Sequence, residues 1–220
     1  MRSFTEENYL KIIYHLSRLN ASPVQTNAIA EGMKTRAASV TDMLKKLSDK
    51  KLIDYVKYQG VTLTENGKTA AVEVIRKHRL WEVFLVEKLK FKWDEVHDIA
   101  EELEHISSTL LIERLDDFLG FPKRDPHGDP IPDKDGIFEP SQHAHLHEMP
   151  KGKKGMIIGV SEHSSPFLKH LERLGLTIGI VVEIQEIADY DGSVELLAGN
   201  KKLNVSREVA KHILINALKR

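Results

Sequence analysis

A change of hydrophobic period is the feature that most constrains this chain. Apolar residues recur at three- and four-residue spacing from Tyr9 to about Leu119, the pattern dissolves across a proline- and glycine-rich stretch, and from Met156 short β-branched runs take over. Helical and strand periods bury different positions, so the two parts must build different layers. The expected fold class is mainly α with a small β domain.

Ser3-Phe4-Thr5-Glu6 reads as a capping box, and Tyr9, Ile12, Ile13, Leu16 and Leu19 follow at helical spacing, predicting a first helix from about Thr5 to Leu19. Asn20-Ala21-Ser22-Pro23 breaks it, and a short second helix should turn Val24, Ala28, Ile29 and Met33 inward. After the turn at Lys34-Thr35-Arg36, a third helix from about Ala37 to Lys50 keeps Val40, Met43, Leu44 and Leu47 on one face. Leu52 to Lys57 and Val61 to Leu63, separated by Tyr58-Gln59-Gly60, read as a tight hairpin. Three short helices and a hairpin make up a winged helix-turn-helix, whose third helix enters the major groove. Ser39 and Thr41 suit base edges, whereas Arg36, Lys45 and Lys46 suit phosphates. With Asp42, also off the apolar face, they form the candidate DNA-contacting set. A small helical domain that binds protein is the competing reading.

Thr64-Glu65-Asn66-Gly67 opens a long helix to about Lys90, in which His78 and Glu82 are an i,i+4 pair. The stretch His97-Asp98-Ile99-Ala100-Glu101-Glu102-Leu103-Glu104-His105 follows. Wound as a helix at roughly 100° per residue, it gathers His97, Glu101, Glu104 and His105 within an arc of roughly 100°. Two imidazoles and two carboxylates on one side are costly to bury without a cation among them, and a divalent metal is the natural one. A solvated acidic face is the alternative. His78 and Glu82 are placed either to add ligands or to pair with each other at the surface. Ser107-Ser108 then starts a helix through Leu110, Leu111, Leu115, Phe118 and Leu119, better suited to a dimer interface than to a core of its own.

From Gly120 to Pro150, six prolines mark an irregular connection and a domain boundary. His143, His145 and His147 share one side if this segment is extended, as a further metal site or as solvated imidazoles. Beyond Lys151-Gly152-Lys153-Lys154-Gly155, strands are expected at Met156–Val160, Ile180–Ile184 and Ser193–Leu197, with a helix around Phe167 to Leu174 and a turn at Asp191-Gly192. These suit a small SH3-like β-barrel. Glu162 and His163 follow its first strand and are placed to reach a metal held elsewhere. The expected division is a DNA-binding domain over 1–72, a helical dimerisation and metal-binding domain over 73–140, a linker over 141–151 and the SH3-like domain over 152–220.

The net charge of −1 conceals an uneven distribution. Lys and Arg outnumber Asp and Glu 11 to 7 in residues 1–72, are outnumbered 10 to 18 in 73–150, and lead 11 to 8 in 151–220. A basic first segment and an acidic middle suit an anionic partner and a cationic ligand handled by different parts. The chain has no cysteine, which rules out disulfides and thiolate zinc fingers and leaves nitrogen and oxygen ligands, favouring Mn2+ or Fe2+. The polar N-terminal residues and the lack of an apolar run near ~18 residues lead to the expectation of a soluble, cytoplasmic protein.

Taken together, these residues resemble the diphtheria-toxin-repressor family of metal-dependent transcriptional regulators over nearly the whole chain. The resemblance is carried by Glu7-Asn8-Tyr9-Leu10 with Ile13-Tyr14, Ser39-Val40-Thr41 with Leu44 and Leu47, and Leu63-Thr64-Glu65-Asn66-Gly67. Arg76-Lys77-His78-Arg79-Leu80 with Glu82, His97 with Glu101 and Glu104-His105, and His127-Gly128-Asp129-Pro130-Ile131-Pro132 continue it. The resemblance implies a primary regulatory metal site of Glu101, Glu104 and His105 with Asn8 reaching from helix 1, and an ancillary site of His78, Glu82 and His97 joined by Glu162 and His163. It also implies a homodimer on a double-stranded, palindromic DNA operator, with repression as the usual mode.

Departures at four positions carry information. The iron-sensing branch has cysteine at position 101 and methionine at position 8, where this chain has Glu101 and Asn8, and oxygen in place of sulfur puts Mn2+ ahead of Fe2+, with other divalent ions able to bind in vitro. The manganese-sensing branch has carboxylates where Asn8 and Lys11 stand, and Asp125 stands where the family has a cysteine. Two other classes compete: a winged-helix regulator of an organic effector, and a di-iron carboxylate enzyme suggested by Glu102-Leu103-Glu104-His105. The enzyme needs two copies of that motif, and the chain has one, so no catalytic residue is expected.

Overall fold

The computed structural model describes every residue except 1, 21–22, 57–58, 141–142 and 219–220. The chain divides into two compact units, each assembled from separate stretches.

The first unit comprises Met1–His78, Glu101–Thr109 and Pro132–Ile137. Helices α1 (Phe4–Asn20), α2 (Thr26–Gly32) and α3 (Ala37–Asp49) precede a hairpin of β1 (Ile53–Val56) and β2 (Gly60–Leu63). The strands pair antiparallel from Ile53 opposite Leu63 to Val56 opposite Gly60, and Val24 adds a bridge to Val61. The expected turn at Tyr58 and the strand end at Lys57 lie outside the described residues. Leu10, Ile13, Ile29, Val40, Leu44, Leu47 and Val61 are fully buried; on α1 the core takes Tyr9, Leu10 and Ile13, whereas Leu19, expected on that face, is exposed at the helix end. On α2 it is Ala30, not Ala28, that joins Ile29 in the core.

The capping box forms as read: Ser3 N donates to Glu6 Oε2 (3.0 Å) and Glu6 N donates to Ser3 Oγ (3.3 Å). Glu6 also crosses to α3, where Lys50 Nζ donates to both of its oxygens (2.7 and 2.9 Å) and Lys46 Nζ lies 3.1 Å away. Burial raises the Glu6 pKa, but the Lys50, Ser3 and Lys46 contacts outweigh it and hold the carboxyl down at about 2. The folded value lies below the ordinary 4.5. The stabilisation is therefore complete above about pH 4.5 and is lost as pH falls towards 2. A Glu6→Gln variant is expected to be less stable by about 2 kcal/mol at neutral pH, and the gap from wild type should close between pH 4.5 and 2 in parallel denaturant titrations. A gap that persists at low pH would assign the loss to packing instead.

The second unit comprises Arg79–Ala100, Leu110–Ile131 and Phe138–Arg220. Helix α4 (Glu65–Glu87) begins in the first unit and ends in the second, followed by α5 (His97–Leu103) and α6 (Thr109–Phe118). The helix expected through His105 stops at Leu103, so Glu104 and His105 sit in the turn after it. On α6, Ile112 and Leu115 are buried, while Leu110, Leu111 and Phe118 are exposed.

A six-stranded antiparallel sheet in the order β3-β8-β4-β5-β6-β7 closes the unit. The strands are β3 (Ala144–His145), β4 (Lys154–Val160), β5 (Val181–Ile187), β6 (Val194–Ala198), β7 (Lys201–Val205) and β8 (Ile213–Ala217), with α7 (Ser165–Leu174) after β4 and α8 (Arg207–Lys211) before β8. One core binds them, including Ile157, Leu168, Leu171, Leu176, Ile184, Leu196 and Ile215, with Trp93 packed against it. The irregular segment after α6 is fastened to this sheet, because Val160 N donates to His127 O (2.9 Å). Asp94 adds a second tie, accepting from Ser165 Oγ (3.1 Å) with Lys169 Nζ at 3.3 Å.

Candidate metal centres and DNA-binding surface

The first donor set lies in the first unit, where α1 faces the turn after α5. Glu104 is fully buried. Lys11 Nζ donates to its two oxygens (2.6 and 2.8 Å) and to Glu101 Oε1 (3.3 Å), while His78 Nδ1 lies 2.6 Å from Glu104 Oε2. Burial raises the Glu104 pKa, but the His78 bond and the Lys11 charge lower it more, so the carboxylate is ionised. His105 Nδ1 pairs with Glu7 Oε2 (2.7 Å), and its ring stacks on Phe4 at 4.6 Å. Asn8 Oδ1 is buried without a hydrogen-bond partner. The predicted Asn8, Glu101, Glu104 and His105 thus all come from α1 and the α5 end, with Glu7 and Lys11 between them.

The second set lies in the second unit. Glu82, 2% exposed on α4, places Oε1 3.7 Å from His97 Nδ1 and 3.6 Å from His127 Nδ1. Ligand atoms of Glu82, Asp125 and His127 all lie within 4.8 Å of one another. His127 Nε2 is 2.7 Å from Trp93 O. A carbonyl only accepts, so Nε2 carries the proton. That leaves Nδ1, which is buried without a hydrogen-bond partner, as the nitrogen that would hold a metal once its proton is displaced, the arrangement by which metal-binding imidazoles are oriented. Asp125 Oδ1 accepts from the backbone N of His127 (2.8 Å) and Asp129 (3.0 Å), which fixes the turn that carries both residues. Burial, then the charges of Glu82 and Asp129, push Asp125 up to about 7. Burial lowers the His127 pKa, but the Glu82 carboxylate 3.6 Å from Nδ1 outweighs it and raises it to about 9. Both shifts are upward, which marks a buried excess of negative charge that a cation would neutralise. The donors are nitrogen and oxygen only, and they fit a divalent metal.

His163, expected near this set, stacks on His127 at 4.8 Å and places Nε2 3.2 Å from Val160 O, while Glu162 accepts from Ser164 N (2.8 Å) within its own loop. His78, one turn before Glu82 on α4, is engaged by Glu104. Sequence reasoning noted Asp125 and His127 only as part of a motif. The signal for them was Asp-Pro-His-Gly, an aspartate placed to fold a turn back onto its own backbone. His143, His145 and His147 have ring spacings of 6.1 and 5.8 Å and form no metal-holding group among the described residues.

Arg36 at the N-cap of α3 and Ser39, Asp42 and Lys45 on it are exposed, Asp42 pairing with Lys45 at 3.3 Å. Lys46 leans to Glu6, and Thr41 is half-buried with its hydroxyl donating to Ala37 O (3.0 Å). The apolar face of α3 turns to the core and leaves its polar face outward.

A winged helix-turn-helix followed by helices with buried nitrogen and oxygen donors and a small β domain defines a metal-dependent, DNA-binding regulator. Residues 2–61 match the iron dependent repressor N-terminal DNA binding domain, 64–133 the iron dependent repressor metal binding and dimerisation domain, and 144–217 the FeoA domain. The diphtheria toxin repressor of Corynebacterium diphtheriae is 28% identical over 227 residues, covering 97% of each chain. The HTH-type transcriptional regulator MntR of Oceanobacillus iheyensis is 34% identical over 119 residues, covering 54% of this chain and 80% of the relative. A solved manganese-dependent transcriptional repressor in complex with manganese superposes with a TM-score of 0.86 at 32% identity, covering 97% of this chain and all of the other. The chain belongs to the diphtheria-toxin-repressor family of metal-dependent transcriptional repressors. Its relatives are regulators and not enzymes. No helix among the described residues is long and apolar enough to cross a membrane.

Proposed function

We propose that the chain is a cytoplasmic, Mn2+-responsive repressor that binds a palindromic operator as a homodimer, using Fe2+ as the second-ranking metal. The preference for Mn2+ rests on the donors, which contain no sulfur. In this reading Asn8, Glu101, Glu104 and His105 form the regulatory site, and Glu82 and His97 with His78 form the ancillary site, which Asp125 and His127 complete and His163 and Glu162 border. The boundaries at 72, 140 and 151 separate DNA reading, dimerisation with metal binding, and the tethered β domain. The exposed Leu110, Leu111 and Phe118 of α6 suit the dimer contact.

The observation that carries the mechanism is that α1, part of the reading head, reaches Glu101, Glu104 and His105 through its own side chains. Asn8, Glu101, Glu104 and His105 would hold a divalent cation, whose charge would let the carboxylates share one centre. Glu104 and His105 would then hold α1 at one angle, so that Arg36 at the start of α3 and Ser39 and Lys45 within it would meet half-sites at a fixed spacing. A coupling of about 1–3 kcal/mol would raise operator affinity about 5- to 150-fold. The test is a titration of full-length protein against an operator selected from a random duplex pool, with Mn2+, Fe2+ or chelator at one salt concentration. Affinity rising with Mn2+ is the expected result, and equal affinity with chelator would reject the reading.

A further inference from the structure

We propose that Lys11 is a built-in competitor at the regulatory site, a tethered cation that must leave before metal is held, and so sets the metal concentration at which the protein responds. The inference rests on the assignment of Asn8, Glu101, Glu104 and His105 as the regulatory ligands.

The Lys11 ammonium lies among the carboxylates that would hold a cation, within 2.6 and 2.8 Å of the two oxygens of Glu104 and 3.3 Å of Glu101 Oε1. Lys11 is 9% exposed and Glu104 fully buried, so solvent screens the pair weakly. With His78 also at 2.6 Å, neither oxygen of Glu104 is left open. Adding a divalent ion beside the ammonium would place like charges within a few ångströms in a poorly screened site, which is unfavourable. Withdrawal of Lys11 is the simpler course, because its ammonium is strongly hydrated and rides on a flexible four-carbon stem. What remains then is a donor set: two carboxylates, His105, and the Asn8 Oδ1 that has no hydrogen-bond partner. Asn8 adds no charge of its own, so the balance between ammonium and metal falls on Glu101 and Glu104. The site therefore exchanges one cation for another. Its apparent metal affinity is lowered by the fraction of molecules in which Lys11 is in place.

Equilibrium dialysis with Mn2+ on the full-length protein tests this, using wild type, Lys11→Met, Lys11→Gln and Glu104→Ala. Lys11→Met removes the charge at similar volume, while Lys11→Gln keeps a hydrogen-bond donor for Glu104 if the first variant is poorly folded. Both are expected to bind Mn2+ at this site at least about tenfold more tightly than wild type. A second readout is amine labelling of wild-type Lys11, quantified by peptide mass spectrometry. Lys11 should be protected without metal and labelled at saturating Mn2+. Unchanged or weaker binding in both Lys11 variants, or continued protection at saturation, would overturn the proposal. Glu104→Ala separates the two levels. If it leaves the number of bound ions per chain unchanged, the regulatory-site assignment itself has failed. If it removes one ion while the Lys11 variants match wild type, the assignment stands and the competitor role is gone.

Discussion

A Glu104→Ala variant is expected to remain a folded dimer whose operator affinity is the same with Mn2+ and with chelator, a loss of the entire metal response of about 5- to 150-fold. Glu104 is the one carboxylate of the α5 end that is wholly buried, and it takes two hydrogen bonds from Lys11 while facing His78. Removing it takes away the centre of the proposed regulatory set and the carboxylate to which Lys11 of α1 is tied. Lys11 keeps Glu101 as a partner, and that carboxylate is 46% exposed, so the ammonium can turn to solvent without being stranded. Some thermal stability should be lost all the same, because a buried ion pair is broken from one side. Fluorescence anisotropy at constant salt reads the result. A normal response to Mn2+ would move the regulatory role to the Glu82, Asp125 and His127 set.

The second large effect concerns Gly128. Its φ of +90° is one that side-chain-bearing residues rarely adopt, and a Cβ there would lie 2.1 Å from Ile158 O and 2.4 Å from Gly159 Cα. Both obstacles are backbone of β4, so no rotamer change relieves them. Gly128→Ala is expected to push the Asp125–Pro130 turn off the sheet, break the His127–Val160 hydrogen bond and cost about 3 kcal/mol or more. Because Asp125 and His127 ride on that turn, metal binding with Glu82 should weaken in step. Thermal unfolding gives the first effect, and hydrogen exchange at residues 125–131 and in β4 localises it. A wild-type melting temperature would show that the turn and β4 separate freely.

The helical half was legible because its core is periodic. Tyr9, Ile13, Val40, Leu44 and Leu47 fall where the spacing puts them, and the Ser3–Glu6 box forms atom for atom. The sheet was half legible. Strands β4, β5 and β6 carry apolar runs, whereas Lys201-Lys202-Leu203-Asn204-Val205 buries only Leu203 and Val205 and reads as a polar loop, and β8 follows a short helix that hides its start. For the site, local spacing identified the ligand types but could not say which groups meet. Glu104 finds Lys11, 93 positions away in sequence, and leaves the helix to do so, while His97 finds Glu82 and His78 turns to Glu104. These pairings are set by long-range burial of charge, which no helical period records.

Asp125 stands where the family has a cysteine, and it reaches Glu82 and His127 as a carboxylate. A thiolate in that place would be open to stepwise oxidation, first to sulfenic acid and then irreversibly beyond it. A carboxylate has no such chemistry. Peroxide that oxidises a sulfur ligand would leave these nitrogen and oxygen donors intact.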